Sequence, residues 1–249
     1  MPLVVDNTMA TPFLCQPFEW GADLVVHSTT KFLSGQGNAV GGVVIDSGKF
    51  PWLGNSKFPS LSTPSPEYNG LTFAETFGDL AYTMYSHAIS LRDLGCTQSP
   101  MNAWITLNGI ETLPLRMERH CSNSLAVAKF LEKQANVEWV SHAGLESSPY
   151  FELGNKYLPE GTGSVFTFGV KGGYESGLKM LESVELFSHV ANIGDTRSLI
   201  LHPASTTHRQ LTEEQRLAAG AGQEVIRLSI GIECVEDIIS DLGQALKSF

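Results

Sequence analysis

Apolar residues in the first third of the chain come in short runs separated by glycine-bearing turns. Leu3–Val5, Leu24–Val26 and Val43–Ile45 are unbroken apolar triplets, with Gly21-Ala22-Asp23 before the second and Gly41-Gly42 before the third. Runs this short suit strands buried on both faces, and their spacing suits an α/β layer architecture. Farther along, Ser164–Val170 and Val225–Ile230 alternate with period two and predict half-buried strands. Helices are predicted over 72–95 and 99–135; in the second, Met117, Cys121, Leu125, Ala128 and Leu131 recur at three- and four-residue steps as a core-facing stripe. Thr212-Glu213-Glu214-Gln215 reads as a capping box with Gly220 as helix stop, and Val235, Ile238, Ile239, Leu242 and Leu246 stripe a final helix. Residues 51–70 carry Pro51, Pro59, Pro64 and Pro66 and predict a long loop, functional or inserted on the surface. The pattern divides the chain near residue 113, into 1–113 and 114–249. A strand at Leu3–Val5 with no lead-in is an unusual start for a domain, so the chain is expected to be the later part of a longer protein.

The chain has 249 residues, 42% hydrophobic and 17% charged, which marks a globular chain with a sizeable core. A net charge of -10 without any Lys/Arg-rich tract argues against a nucleic-acid partner, and leaves local donors to hold any anionic cofactor. Cys15, Cys96, Cys121 and Cys234 form no C-x-x-C pair, and reduced thiols in the cytoplasm are the simpler reading. No apolar run approaches the roughly 20 residues of a membrane span.

Chemistry enters at His27-Ser28-Thr29-Thr30-Lys31, where a lysine directly follows a predicted buried strand. Desolvation lowers a lysine pKa and makes the amine a usable nucleophile. Ser28 and Thr30, two apart, are donors suited to a phosphate ester whose aldehyde reaches the lysine. Taken alone, the pentapeptide favours a plainer reading, an exposed lysine among turn-forming hydroxyls. Asp6 changes the balance: a carboxylate ending a buried strand needs a partner, and a protonated pyridine nitrogen is one, although a lone Asp is commonly a cap. Arg227, inside an alternating strand, is either paired structurally or presented to a carboxylate through two parallel hydrogen bonds.

Val5-Asp6-Asn7-Thr8-Met9-Ala10-Thr11-Pro12, Gln16-Pro17, Gly21-Ala22-Asp23 and Val26-His27-Ser28-Thr29-Thr30-Lys31 resemble the signature of the Cys/Met-metabolism family of pyridoxal-phosphate enzymes. The likeness continues through Asn108–Leu113 with Arg116-Met117, His202–His208 and Ile226–Glu233. Within the family, the insertion around Tyr68-Asn69-Gly70-Leu71, and Gly194-Asp195 before Arg197-Ser198-Leu199, are most similar to the O-acetylhomoserine sulfhydrylases. Gln36 departs from the pattern, since relatives usually carry His there.

The resemblance implies the C-terminal part of a fold-type I PLP-dependent transferase: a mostly parallel sheet of the cofactor domain, then a smaller α/β domain. It implies pyridoxal 5'-phosphate as cofactor, Lys31 as the Schiff-base lysine, Asp6 facing the pyridine nitrogen, Ser28 and Thr30 on the phosphate, and Arg227 with Asn192 on the substrate α-carboxylate. The implied reaction replaces the acetate of O-acetyl-L-homoserine by sulfide and yields homocysteine, with Lys31 moving the protons. A γ-lyase or cystathionine γ-synthase of the same family is the alternative chemistry, and a non-catalytic assembly subunit the alternative class. The family implies a homotetramer. It also implies an upstream half that supplies phosphate-binding amides and a ring stacked on the cofactor, so this chain alone is expected to bind the cofactor weakly or to be inactive.

Overall fold

The computed structural model describes residues 1–249. A three-stranded sheet comes first: β1 (Val4–Asp6), then α1 (Thr11–Leu14), β2 (Leu24–Ser28) and β3 (Gly42–Asp46), in the order β1-β2-β3. β1 and β2 run parallel with Asp6 beside Val26; β3 runs antiparallel to β2 with Gly42 beside Ser28. The mostly parallel sheet expected here is therefore half antiparallel. A parallel return needs a crossover of a dozen or more residues, and 34–41 hold no helix to make one.

All three strands fall where the apolar triplets predict them, but burial on both faces is wrong for two. β2 is buried, with Leu24 and Val25 at 4% and 3% exposure, whereas Val4 and Val44 are each 51% exposed. Only the central strand has neighbours on both sides. Nothing in this chain pairs with the outer edge of β1 or covers Val4 and Val44.

The stretch predicted as a plain loop has its own small core. α2 (Pro59–Ser62), α3 (Phe73–Phe77) and α4 (Ala81–Ser86) gather around Trp52, Leu61, Phe73 and Ala81, with Trp52 stacked on Tyr82 at 5.7 Å. The single helix expected over 72–95 is broken at Gly78, whose φ of +54° leaves the helical region. The 99–135 helix is likewise two, α5 (Pro100–Glu111), capped by Ser99, and α6 (Leu113–Leu131). Pro114 lacks the N–H that would continue the hydrogen-bond ladder of α5.

β4 (Val137–Ser141), α7 (Phe151–Tyr157), β5 (Val165–Val170), α8 (Gly173–Ser183), β6 (Ser188–His189), β7 (Leu199–Leu201), α9 (Glu213–Ala218), β8 (Val225–Ser229) and α10 (Val235–Ala245) complete the chain. Their strands form a second sheet ordered β4-β5-β8-β7-β6, antiparallel except for β6 with β7. The α10 stripe and the C-terminal half of the α6 stripe face it, Ala128, Leu131, Ile238 and Leu242 all fully buried in one core with Phe168 and Ile226, while Met117 and Cys121 pack with Leu14, Phe32 and Leu33. The capping box of α9 forms as predicted, Thr212 and Gln215 each bonding the other's backbone N–H.

Two histidines are buried between the layers. His120 is hydrogen-bonded to the Ile230 carbonyl and meets Phe32 edge-on at 5.3 Å, and His142 pairs with Ser124. Burial pushes both imidazoles down to about 4 from 6.5. Between those values the unfolded chain binds more protons than the folded one, so stability falls as pH drops through the window. About 2 kcal/mol per histidine is expected to be lost by pH 5. Urea unfolding at pH 7 and pH 5 checks this; equal stabilities would contradict it.

Candidate active site

Strands β1 and β2 deliver Asp6 and Ser28 at their carboxyl ends, where ligands bind in open sheets of this kind. The chain then turns through a short π-helical segment, Thr29–Leu33, kinked at Lys31. That segment is clamped from α6. The Arg116 guanidinium donates to the carbonyls of Phe32 at 2.8 Å, Leu33 at 3.4 Å and Gly109 at 2.7 Å. Arg116 is 8% exposed and has no carboxylate partner, so these carbonyl dipoles carry its charge.

A second clamp comes from the segment between β6 and β7. Thr196 N–H donates to the Gly35 carbonyl at 2.8 Å, and Gly194 N–H to Ser229 Oγ at 3.0 Å. Gly194 sits at φ +72°, and a Cβ there would lie 2.8 Å from the Phe32 nitrogen; a Cβ on Gly37 would lie 2.6 Å from Asn192 Nδ2. Glycine is what permits this close approach. Its result is that Asn192 joins two remote cations: its Oδ1 accepts from Lys31 Nζ, and its carbonyl accepts from Arg227 Nη2 at 3.2 Å.

Burial, and then the nearby Arg227 charge, push the Lys31 amine below the ordinary lysine range. Arg227 is itself half-buried on β8, between fully buried Ile226 and Leu228. The two ion pairs of the protein are Arg92–Asp93 and Arg197–Asp195, which removes the structural ion pair as a reading of Arg227. Two unopposed cations joined by one asparagine are an arrangement that can hold an anion.

Asp6 requires a correction. Its carboxylate is exposed, so burial does not demand a counter-charge. The Thr8 hydroxyl and the Thr8 N–H, at 3.0 Å, hold it below the usual carboxylate range. Ser28 Oγ has no partner within the chain, while Thr30 Oγ1 accepts from the Gly41 N–H at 3.1 Å. His202 orders its own turn through Ser205 and the Gln223 carbonyl, as a loop-ordering histidine should, and His27 is buried. Gln36 is exposed and bonds only Asn38.

Sequence reasoning missed the roles of Arg116 and Thr8. A signal for Arg116 was present: it lies one turn from Leu113 and from His120, on the same buried stripe as Met117. Thr8 gave none, since nothing local tells which hydroxyl faces Asp6.

The donor set fits pyridoxal phosphate. A partly desolvated amine suits an aldehyde, an ionised carboxylate at a strand end suits a pyridine nitrogen, and an unengaged hydroxyl suits a phosphate. Lys31, Asp6 and Ser28 are the residues that would hold the cofactor, with Arg227 left free for an anion. The family model described as "Cys/Met metabolism PLP-dependent enzyme" matches residues 1–247, and the chain belongs to that family. It is 48% identical to the O-acetyl-L-homoserine sulfhydrylase of Leptospira meyeri, across 100% of this chain and 58% of that protein. It is 47% identical to the homocysteine synthase of Schizosaccharomyces pombe, across 99% of this chain and 58% of that one. A crystal structure described as a "putative O-acetylhomoserine (thiol)-lyase" from Campylobacter jejuni, carrying N'-pyridoxyl-lysine-5'-monophosphate, superposes with a TM-score of 0.94 at 40% identity, over all of this chain and 59% of that one. The chain thus spans well under two thirds of the length of these relatives.

Proposed function

We propose that this chain carries the catalytic lysine and the substrate-carboxylate site of an O-acetyl-L-homoserine sulfhydrylase, which exchanges acetate for sulfide and yields homocysteine. The observation that carries the reading is the Lys31–Asn192–Arg227 arrangement, two unopposed cations joined by one asparagine. Arg227 binds the substrate α-carboxylate, fixing orientation as well as charge. Asn192 holds the Lys31 amine beside it. A depressed lysine pKa suits one amine that first takes the α-proton, passes it on, and then takes a proton from the β-carbon, the loss of which expels acetate from the γ-carbon where sulfide adds. Pyridoxal phosphate, when bound, supplies the electron sink that makes the α-proton removable. Asp6 stays charged toward the ring nitrogen, and Ser28 and Thr30 lie on the phosphate side; Thr30 exchanges its Gly41 contact to do so.

The sheet edge at β1 and the uncovered Val4 and Val44 support a site completed by further polypeptide, as the greater length of the relatives also does. We place the division of the chain at residue 113, at the start of α6, and the assembly as a homotetramer in the cytoplasm, where the four free cysteines stay reduced. No helix is long and apolar enough to cross a membrane.

The test is acetate release from O-acetyl-L-homoserine with and without sulfide, by this chain alone and with a polypeptide supplying the rest of a relative's length. Sulfide-dependent release that rises strongly on complementation is expected. Full turnover by this chain alone would overturn the incomplete site. Ammonia release from methionine or cystathionine, without sulfide-dependent acetate, would replace the synthase reading by a lyase. Arg227→Leu is expected to raise KM for O-acetyl-L-homoserine ~100-fold, the loss of one charge-assisted contact of about 2–3 kcal/mol. It should also move the basic side of the pH profile upward, since one cause of the low Lys31 pKa is removed. Unchanged KM would count against the carboxylate role.

A further inference from the structure

Beyond β8 the chain pairs with the 194–198 segment through side chains as well as backbone. The Gly194 N–H donates to Ser229 Oγ at 3.0 Å, and the Ile232 N–H to the Thr196 carbonyl at 2.9 Å. Between them the Gly231 N–H donates to Ser198 Oγ at 2.9 Å. Glu233 closes the pairing with both carboxylate oxygens: Oε1 accepts the Ser198 N–H at 2.6 Å and Oε2 accepts the Ser198 hydroxyl at 2.9 Å. Ser198 is fully buried, so neither of its donors can turn to solvent instead. A Cβ on Gly231 would collide with Glu233 Oε2 and with the Thr196 carbonyl, and glycine is what admits the contact. Asn123 on α6 fixes the turn that carries the carboxylate, donating to the carbonyls of Gly231 at 3.1 Å and Glu233 at 2.9 Å. Glu233 makes no ion pair, so its carboxylate is committed to Ser198.

We infer that Glu233 is a positioning residue for the substrate-carboxylate site: its carboxylate sets the register between β8, which presents Arg227, and the segment that presents Asn192. The inference rests on the reading of Arg227 as the contact for the substrate α-carboxylate. The Gly194–Ser229 bond is the link of this pairing nearest the site, and Glu233–Ser198 is the link farthest from it. Arg227 Nη2 meets the Asn192 carbonyl at 3.2 Å, a contact that a slip of one segment past the other would break. The Thr196 N–H on the Gly35 carbonyl carries the same register on to the lysine segment. A hydrogen bond to a carboxylate is roughly twice as strong as one between neutral groups. Glu233 accepts two such bonds, whereas the Ser229 and Gly231 links join neutral groups, so the carboxylate is the strongest point of the pairing. Holding the two segments in register beforehand leaves less ordering to be done when the substrate binds.

Glu233→Ala removes both acceptors. Glu233→Gln keeps an oxygen for the Ser198 N–H and offers an amide that the Ser198 hydroxyl can turn to accept. Two readouts are taken: amide exchange by NMR on the 249-residue chain, and steady-state kinetics on the enzyme completed by a polypeptide supplying the rest of a relative's length. Glu233→Ala is expected to speed exchange of the Gly194 and Thr196 amides ~10-fold, with amides in the centre of β5 and β8 at the parental rate. It should raise KM for O-acetyl-L-homoserine ~10-fold with kcat little changed, because a contact made equally in the bound substrate and the transition state is lost from KM. A general loss of folded protein would do the reverse, lowering apparent kcat and leaving KM. Ser198→Ala is the milder variant, removing one of the two bonds; it should move exchange and KM the same way by about threefold, and parental values in it would overturn the inference. Glu233→Gln is expected to restore most of both. A Glu233→Gln protein that matches Glu233→Ala would also overturn it, since charge and not register would then be at work, as would Glu233→Ala with parental exchange at Gly194 and Thr196. Arg227→Leu separates the layers: if it leaves KM unchanged, the carboxylate reading fails, and the role of Glu233 toward substrate falls with it. If Arg227→Leu raises KM and Glu233→Ala does not, only the inference fails.

Discussion

Lys31→Ala is expected to abolish the visible absorption of lysine-bound pyridoxal phosphate and to lower turnover of the completed enzyme by ~10³-fold or more. Covalent anchoring and proton transfer are both assigned to this amine, and each proton-transfer role alone is worth about 10²–10⁴-fold. The fold should survive. The Lys31 side chain makes a single hydrogen bond, to Asn192 Oδ1, and an asparagine so released can turn to solvent or to a water. The far-ultraviolet circular dichroism and the urea midpoint should therefore match the parent. An unchanged visible band in the variant would overturn the central assignment. Lys31→Arg is expected to be as inactive, since a guanidinium stays protonated and cannot serve as nucleophile or base.

The second large effect belongs to stability. Arg116→Met is expected to cost about 3 kcal/mol, read as a shift in the urea midpoint without a change in slope. The buried carbonyls of Phe32 and Leu33 lose this donor together, while that of Gly109 keeps the Thr112 N–H and hydroxyl, each at 3.3 Å. Each buried acceptor left unsatisfied costs about 1–3 kcal/mol, and removing the desolvated charge returns part of that sum. The acceptors win because Arg116 has no ionic partner that would be stranded, and none that a methionine could replace. Arg116→Lys should rescue little, because one ammonium cannot reach acceptors spread around a planar fork. The Lys31 segment is expected to loosen with it, so cofactor affinity should fall in parallel with stability. Methionine at parental stability would show that solvent already serves these carbonyls.

Local signals in the chain were reliable where they depend on neighbours in sequence. The strand triplets, the stripes of α6 and α10, and the capping box at Thr212 were legible because each is a matter of spacing over a few residues. The motif around Lys31 and Asp6 was legible as a family pattern, and the match to residues 1–247 bears it out. Errors came from two sources. Gly78 and Pro114 each end a helix that apolar periodicity carried through, because periodicity registers side chains and not backbone freedom. The burial of β1 and β3 was read from their apolar runs, yet a run records what the strand can bury, and the cover over Val4 and Val44 is absent from this chain.

By itself the sequence determined the family, through many short motifs in order, and with the family the kind of cofactor chemistry. Only the tertiary structure decided how the site is assembled. Lys31 and Asn192 lie 161 positions apart, and Arg227 lies 35 beyond Asn192; no periodicity links residues at such separations. Their meeting depends on two backbone approaches that glycine permits and on a buried arginine binding three carbonyls. Tertiary structure also settled the state of each charge. Whether a lysine is desolvated, an arginine unopposed or a carboxylate exposed depends on what packs against it, and that is fixed by packing between distant segments.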